Sequence, residues 1–373
     1  MGEEKANISP SSPLPTLFPI LGQSAGPGAE PPTVSTPVSI AGRKPPVGIA
    51  RLAAQAEHAG AGHLVEFRTL APRSLLNRVV SRRGIYFEWS INPYRGCEFG
   101  CRYCYARYTH EFLDKPDPDL FEREIYIKQH AAWLLRQELK QVRPGETIAL
   151  GTATDPYQPI ERRAQVTRSI LEVFAEQQGL QLSIVTKSTL VERDIDLLQR
   201  IAARNKLTLH LTITTPDAKL ARILEPRAPR PDLRFRTVAR LRQAGLRVGI
   251  LCSPLLPGIT DTPRALEAMA RRAKKASASF LSAQPLFLKP CSKPVFLRFI
   301  QQHFPDLEKA YAARYGERAF VSRAYHERVS AMVRAVVRKH GLSARFSGVA
   351  QIAALPAWPL QAELWPGSQA RTA

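Results

Sequence analysis

An α/β fold in which six strand–helix units build a parallel sheet is what this sequence predicts, and three observations carry the prediction. Short β-rich runs recur through the middle of the chain. Most of them are followed by a helical pattern. The connections are long enough for right-handed crossovers between parallel strands. WSINPY (89–94) makes the first strand, and a helix is expected around Glu122–Gln141. TIALGT (147–152) is followed by RRAQVTRSILEVFAEQQG, and LSIVTK (182–187) by TLVERDIDLLQRIAARN. LTLHLTIT (207–214) is followed by two helical stretches, DAKLARILEP and DLRFRTVARLRQAG. RVGILCS (247–253) precedes TPRALEAMARRAKKA, and SFLSAQPLF (279–287) closes the series. Six units are fewer than the eight of a full (β/α)₈ barrel. An open partial barrel and a doubly wound sheet both suit the pattern, and both put ligands at the carboxyl ends of the strands.

Residues 1–60 are rich in Pro, Ser, Gly and Ala and are expected to be disordered. The core with its lead-in is expected over 61–295, a helical extension over 296–347, and a Pro- and Trp-containing tail over 348–373. No run of 18 apolar residues occurs, so no membrane span is expected. The N-terminus lacks the basic region of a secretory signal, which makes the cytoplasm the expected compartment. The formal net charge is +21 and the pI about 10.2, a surplus that attracts polyanions, nucleic acid first. Eight arginines lie in Arg222–Arg247 against two acids, Glu225 and Asp232, and RRAKK (271–275) is a second basic cluster. A solvated outer helix face accounts for such clusters equally well.

Five cysteines are too few for a disulfide scaffold at 373 residues. Three of them, Cys97, Cys101 and Cys104, fall within eight residues, just after the first strand. Three thiolates on one loop can converge on a single centre. Structural zinc closes with four ligands, and the fourth would have to be His110, Cys252 or Cys291. Three thiolates on a [4Fe–4S] cubane instead leave one iron open to a substrate or cofactor. Ordinary thiols are the third alternative.

The spacing C-x3-C-x-aromatic-C, met by Cys97, Cys101, Tyr103 and Cys104, resembles the signature of the radical S-adenosylmethionine (SAM) superfamily. NPYRGC, YCYAR, GTATDPYQPIE and SIVTKS are similar to its spore photoproduct lyase-related branch, and the likeness runs from about Leu76 to about Pro290. The resemblance implies a partial (β/α)₆ TIM-like barrel and a [4Fe–4S] cluster on the three cysteines, with SAM on the open iron. It also implies an external one-electron reductant of the flavodoxin or ferredoxin type. Such enzymes split SAM reductively into methionine and a 5′-deoxyadenosyl radical, and the branch name points to nucleic acid, by lesion repair or modification. The alternative is a non-catalytic nucleic-acid-binding protein with a structural zinc or iron–sulfur knuckle, in which His110 completes the zinc site.

By the same resemblance Tyr103 lies beside the adenine, packing of its own loop being the alternative. Gly96 and Gly100 let the loop wrap closely. Arg95 and Arg102 either offset iron–thiolate charge or are solvated. Thr152, Thr154 and Asp155 end the second strand where the superfamily contacts the SAM amino group, although Asp155 before a proline is also a natural turn or cap residue. Lys187 ends the third strand, and Thr212 and Thr214 share one face of the fourth. Arg227 and Arg230 are candidates for a phosphate-bearing substrate. His110 and Glu111 are expected to cap or pack. Spore photoproduct lyases carry a hydrogen-donating cysteine in the second-strand region, where this chain has Thr152. A hydroxyl O–H bond is too strong to replace it, so Cys252 and Cys291 are the candidate donors, small buried hydrophobe being the alternative for each.

Overall fold

The computed structural model describes residues 45–62, 64–79 and 86–343. In chain order the strands are β1 (His58–Gly62), β2 (Val65–Leu70), β3 (Leu76–Arg78), β4 (Trp89–Ile91), β5 (Tyr94–Arg95) and β6 (Glu124–Lys128). They continue with β7 (Thr147–Leu150), β8 (Gln181–Thr186), β9 (Lys206–Thr212), β10 (Val248–Leu255) and β11 (Leu281–Pro285). The main sheet has the order β11-β10-β9-β8-β7-β4-β3. Its six strands from β4 to β11 are parallel, and β3 adds an antiparallel edge. These are the six units read from the sequence. The sheet runs linearly from β11 to β3 with no pairing between its two ends among the described residues.

Strands such as β7 (TIAL) and β10 (VGILCSPL) carry apolar residues on both faces because a parallel sheet with crossover helices is covered on both sides. Between β7 and β8 the helix Val166–Glu176 buries Val166, Ile170, Leu171, Val173 and Phe174 against the sheet. The helix Pro263–Lys275 starts where a sequence reading puts it. Thr262 Oγ1 accepts from Ala265 N at 3.2 Å, and Pro263 occupies the first turn, where a missing N–H costs nothing. The expected C-terminal helices are Lys293–His303, Glu308–Tyr315 and Arg323–Lys339. Two tyrosines tie them to the carboxyl ends of the strands: Tyr311 donates to Pro257 O and Tyr315 to Leu286 O, both at 2.8 Å. No described helix is long and apolar enough to cross a membrane.

Two expectations need correction. The single helix over 122–141 is broken by β6, and helix resumes only over Ala131–Glu138. EIYIK is β-branched and aromatic, and its residues pair with β2 on one side and β5 on the other. His130, at φ 55°, then turns the chain into the helix. The second sheet so formed has the order β1-β2-β6-β5. The stretch expected to be disordered to residue 60 contains the helix Gly48–Ala54 and the start of β1. Ile49, Leu52 and Ala53 give that helix an apolar face, which packs with Leu70, Leu113 and Tyr126. The rest of that stretch, to residue 44, and the 348–373 tail lie outside the described residues.

Candidate metal centre

The cysteine loop leaves β5 at Gly96 and is tied down from several directions. Cys97 N donates to Phe121 O at 2.9 Å, and Arg102 N to Leu224 O at 2.9 Å. Ser292 Oγ reaches back 2.8 Å to Cys104 O. The fully buried Gln158 accepts from Glu98 N at 2.9 Å and donates to Gly96 O at 3.2 Å, while Glu98 Oε1 accepts from Ile160 N at 2.8 Å. Arg107, also buried, donates from Nη2 to Cys101 O at 3.2 Å and to Glu122 Oε2 at 2.6 Å. Gly96 has φ 80°, and a Cβ there would lie 2.5 Å from Glu124 O and 2.9 Å from Phe121 O, so only glycine fits.

Cys97, Cys101 and Cys104 lie in one cluster with Phe99, Tyr103 and Leu224. Burial pushes the Cys101 thiol up to about 12 despite the nearby Lys187 ammonium, and pushes Cys97 up with further help from the Asp155 carboxylate and Cys101. Such thiols ionise on gaining metal. A cubane does not need the three thiols to close on one ion, since each thiolate binds a different iron. His110 lies with Nε2 3.1 Å from Glu124 O and its ring against Phe121 and Tyr126. Burial pushes it down to about 4. The ring packs as expected, and its buried Nδ1 has no hydrogen-bond partner.

Beside the loop, a buried polar network gathers several of the other candidates. The Tyr103 hydroxyl lies 2.9 Å from Thr214 Oγ1 and donates to Glu225 Oε1, which also accepts from Thr214 Oγ1 at 2.9 Å. Arg234 pairs with Glu225 Oε2 at 2.6 Å and donates to Thr212 O at 3.0 Å and Pro229 O at 2.6 Å. Burial raises the Glu225 carboxyl, but Arg234 and Lys187 outweigh it and hold the group below the usual carboxylate range. Lys187 Nζ lies 5.8 Å from the centre of the Tyr103 ring. Burial lowers its ammonium, yet Cys101, Glu225 and Asp155 together hold it above the ordinary value.

On the other flank, Asn92 cinches the 151–155 turn. Its Oδ1 accepts from Ala153 N at 2.8 Å and Thr154 N at 3.2 Å, and its Nδ2 donates to Thr152 Oγ1 at 3.3 Å. Tyr105 OH donates to Thr152 O, and Thr154 Oγ1 to Tyr94 O at 3.3 Å. Asp155 accepts from Thr186 Oγ1 at 2.6 Å, Tyr157 N at 2.9 Å and Lys187 N at 2.7 Å. A carboxylate has about four lone-pair sites, so one is left for a ligand. Cys252 is buried on β10 with Sγ 3.5 Å from Thr214 O, and burial pushes its thiol up to about 12. Cys291 is half-buried after β11, its Sγ 3.6 Å from the Ser292 hydroxyl that binds Cys104 O. Arg227 pairs with Glu122 Oε1 at 3.3 Å beside Gly100, whereas Arg230 is exposed and pairs with Asp232 at 2.9 Å, away from the network. Arg102 is 4.0 Å from Glu122, and Glu111 is exposed.

Asn92, Gln158, Arg107, Glu225, Arg234 and Ser292 were not legible as site residues. Asn92, Arg107 and Gln158 lie inside the motifs NPYRGC, YCYAR and GTATDPYQPIE, which is the signal available for them.

A parallel sheet with a three-thiol loop at the carboxyl end of its first parallel strand is the arrangement that the C-x3-C-x-aromatic-C resemblance implies for a SAM-cleaving iron–sulfur enzyme. The family model of the radical SAM superfamily matches residues 91–272. A Mycobacterium tuberculosis protein is 32% identical over 283 residues, covering 75% of this chain and 82% of that one. A Methanocaldococcus jannaschii protein is 26% identical over 219 residues, covering 59% of this chain and 77% of that one. Spore photoproduct lyase complexed with dinucleoside spore photoproduct matches with a TM-score of 0.56 and 18% identity over 74% of this chain and 79% of that one, a likeness of fold. The chain belongs to the radical SAM superfamily, and a [4Fe–4S] cluster and SAM are its cofactors.

Proposed function

We propose that Cys97, Cys101 and Cys104 each ligate one iron of the cluster and that SAM binds the remaining iron. The observation that carries this is the cysteine loop itself: three thiols within eight residues, fastened through Gln158, Arg107 and Ser292. When bound, the pair supplies a one-electron reductive cleavage that yields a 5′-deoxyadenosyl radical. The chain's own residues bind and shield. Asp155 keeps one lone pair for an ammonium, and Lys187 offers a cation to a carboxylate. The Tyr103 ring, fixed through Glu225 and Thr214, offers a face to adenine, and Thr152, Thr154, Thr212 and Thr214 complete the polar lining. Tyr103 is buried in one apolar cluster with Leu224, Leu256 and Phe296, which keeps water out. Electrons come from an external flavodoxin- or ferredoxin-type donor, and the reducing cytoplasm is the matching compartment.

The substrate in this reading is nucleic acid, lesion repair or modification being the reaction. Net charge +21 supports it, as does the fold shared with a lyase whose solved complex holds a dinucleoside. Cys291 is the better-sited hydrogen donor, because it is half-buried while Cys252 is sealed in the core. Anaerobic reconstitution with iron and sulfide, reduction and addition of SAM should yield 5′-deoxyadenosine from the wild type and none from a Cys97/Cys101/Cys104→Ala triple variant. One zinc per chain and no deoxyadenosine would overturn the reading. Nucleic-acid binding should weaken by on the order of 10³-fold between 50 and 200 mM salt if about six phosphates are contacted. Binding indifferent to salt would remove nucleic acid as substrate.

A further inference from the structure

A cavity of about 190 Å³ lies where the helix Gly48–Ala54 meets β5 and β6. Ile49 and Leu52 line one wall, and Arg73, Arg95 and Lys128 line the rest. That is room for considerably more than one water. Arg95 pairs with Tyr126 across the β5–β6 ladder, and Lys128 follows Tyr126 by two, so both cations stand on the same face of the ladder. Like charges so placed repel. Lys128 is only 6% exposed, and the buried Arg95 Nε has no hydrogen-bond partner. Among the described residues no carboxylate lies within ion-pair distance of either. The nearest acid acting on Lys128 is Glu138, whose oxygens are taken by Leu75 N and Leu76 N at 2.7–3.2 Å. The other polar side chains at the wall, Ser74 and Asn77, spend their donors on Leu76 O, Leu75 O and Ser90 O. Free donors here therefore belong to cations alone.

We propose that this cavity is a binding site for a phosphate-class oxyanion, held between Arg95 and Lys128 with Arg73 at its exposed mouth. A doubly charged tetrahedral anion matches the two cations and a third at the rim, and it supplies the acceptor that the buried Arg95 Nε lacks. Burial, and then the Arg95 guanidinium, push the Lys128 ammonium down to about 7, which is the strain a bound anion would relieve. Such a group is carried by free phosphate and by a nucleotide alike. The inference does not depend on the reading of the cysteine loop.

The test uses the full chain as purified, at pH 7 and constant ionic strength held with sodium chloride. Inorganic phosphate, uridine 5′-monophosphate and uridine are titrated while the melting temperature is read. Phosphate should raise the wild-type melting temperature with a millimolar midpoint, and Lys128→Met should weaken the response at least ten-fold. A nucleotide midpoint well below that of phosphate identifies a nucleotide source, and equal midpoints identify free phosphate. Phosphate stabilises many proteins by exclusion from their surface, so an equal response from wild type and Lys128→Met would overturn the proposal. If Lys128→Met does not fold, the exposed Arg73→Ser variant decides: a weakened response supports the site, and an unchanged one refutes it.

Discussion

The buried pair Glu225–Arg234 offers the sharpest test of how the site is held. Each side chain is 1% exposed, and the pair closes at 2.6 Å. Arg234 cannot swing out to water, because its Nε and Nη1 are fixed on Pro229 O and Thr212 O. Glu225→Gln keeps an acceptor for Tyr103 and Thr214 but removes the charge facing Arg234. Breaking one side of such a pair costs about 3–5 kcal/mol, because a desolvated cation is left uncompensated. For a chain of this size that lowers the melting temperature by about 2 °C per kcal/mol, so by about 6–10 °C. Arg234→Met strands the carboxylate and should cost about as much. The double variant removes both charges and should fall well short of the sum, with a coupling of about 2–3 kcal/mol measured by urea unfolding. Both single variants should also weaken SAM binding by the reconstituted protein, since the group that Tyr103 bonds to is then no longer anchored by its ion pair. Strict additivity, or an unaltered affinity for SAM, would refute the view that this pair holds Tyr103 in place.

Three further outcomes follow from the same geometry. Gly96→Ala puts a Cβ 2.5 Å from the backbone oxygen of Glu124, which cannot move aside, so iron content after reconstitution should collapse. Gln158→Leu orphans Glu98 N and Gly96 O, should cost about 2–4 kcal/mol in urea unfolding, and should lower the iron-to-protein ratio. Lys128 is pushed down from 10.5 to about 7, so between those values the unfolded chain binds more protons than the folded one, and stability rises with pH. The wild type should therefore gain up to about 2 kcal/mol on Lys128→Met between pH 7.5 and 9, and parallel pH profiles would show that Lys128 is not held as a strained cation.

The six parallel strands were legible because a sheet covered on both faces writes near-continuous Val, Ile and Leu runs, as in TIAL and VGILC. β6 was not, because EIYIK sits between helix-forming stretches and owes its extended state to partners 31–58 residues upstream in β2 and β5. The helix Gly48–Ala54 was missed for a similar reason: three small or aliphatic residues in a Pro- and Gly-rich context become an apolar face only once Leu70, Leu113 and Tyr126 are brought under it. At the site, cysteine spacing announced the loop, since metal chemistry constrains sequence-local residues. Glu225 and Arg234 were read as members of a basic stretch. Their pairing depends on a helix ending at Leu224 and another starting at Pro231, which composition does not encode.

The two sides of the cysteine loop differ in kind, and the difference bears on how one small site could host both a cofactor and a large substrate. Toward Thr214 everything is sealed: Tyr103, Glu225, Arg234 and Cys252 are buried, and their polar atoms answer one another. Toward β11 the surroundings are aromatic and partly open. Tyr105 lies 5.2 Å from Phe287, Phe287 stacks on Phe320 at 5.3 Å, and Lys289 Nζ stands 3.4 Å above the Tyr108 ring, with Cys291 two residues further on. A charged, dry environment suits a zwitterionic cofactor whose ends need fixed partners. An aromatic and cationic rim suits a ring that must enter and leave. Tyr105 joins the two, being bonded to Thr152 O on one side and packed on Phe287 on the other. On the proposed function, then, cofactor affinity should respond to changes around Glu225, and substrate choice to changes around Phe287 and Cys291.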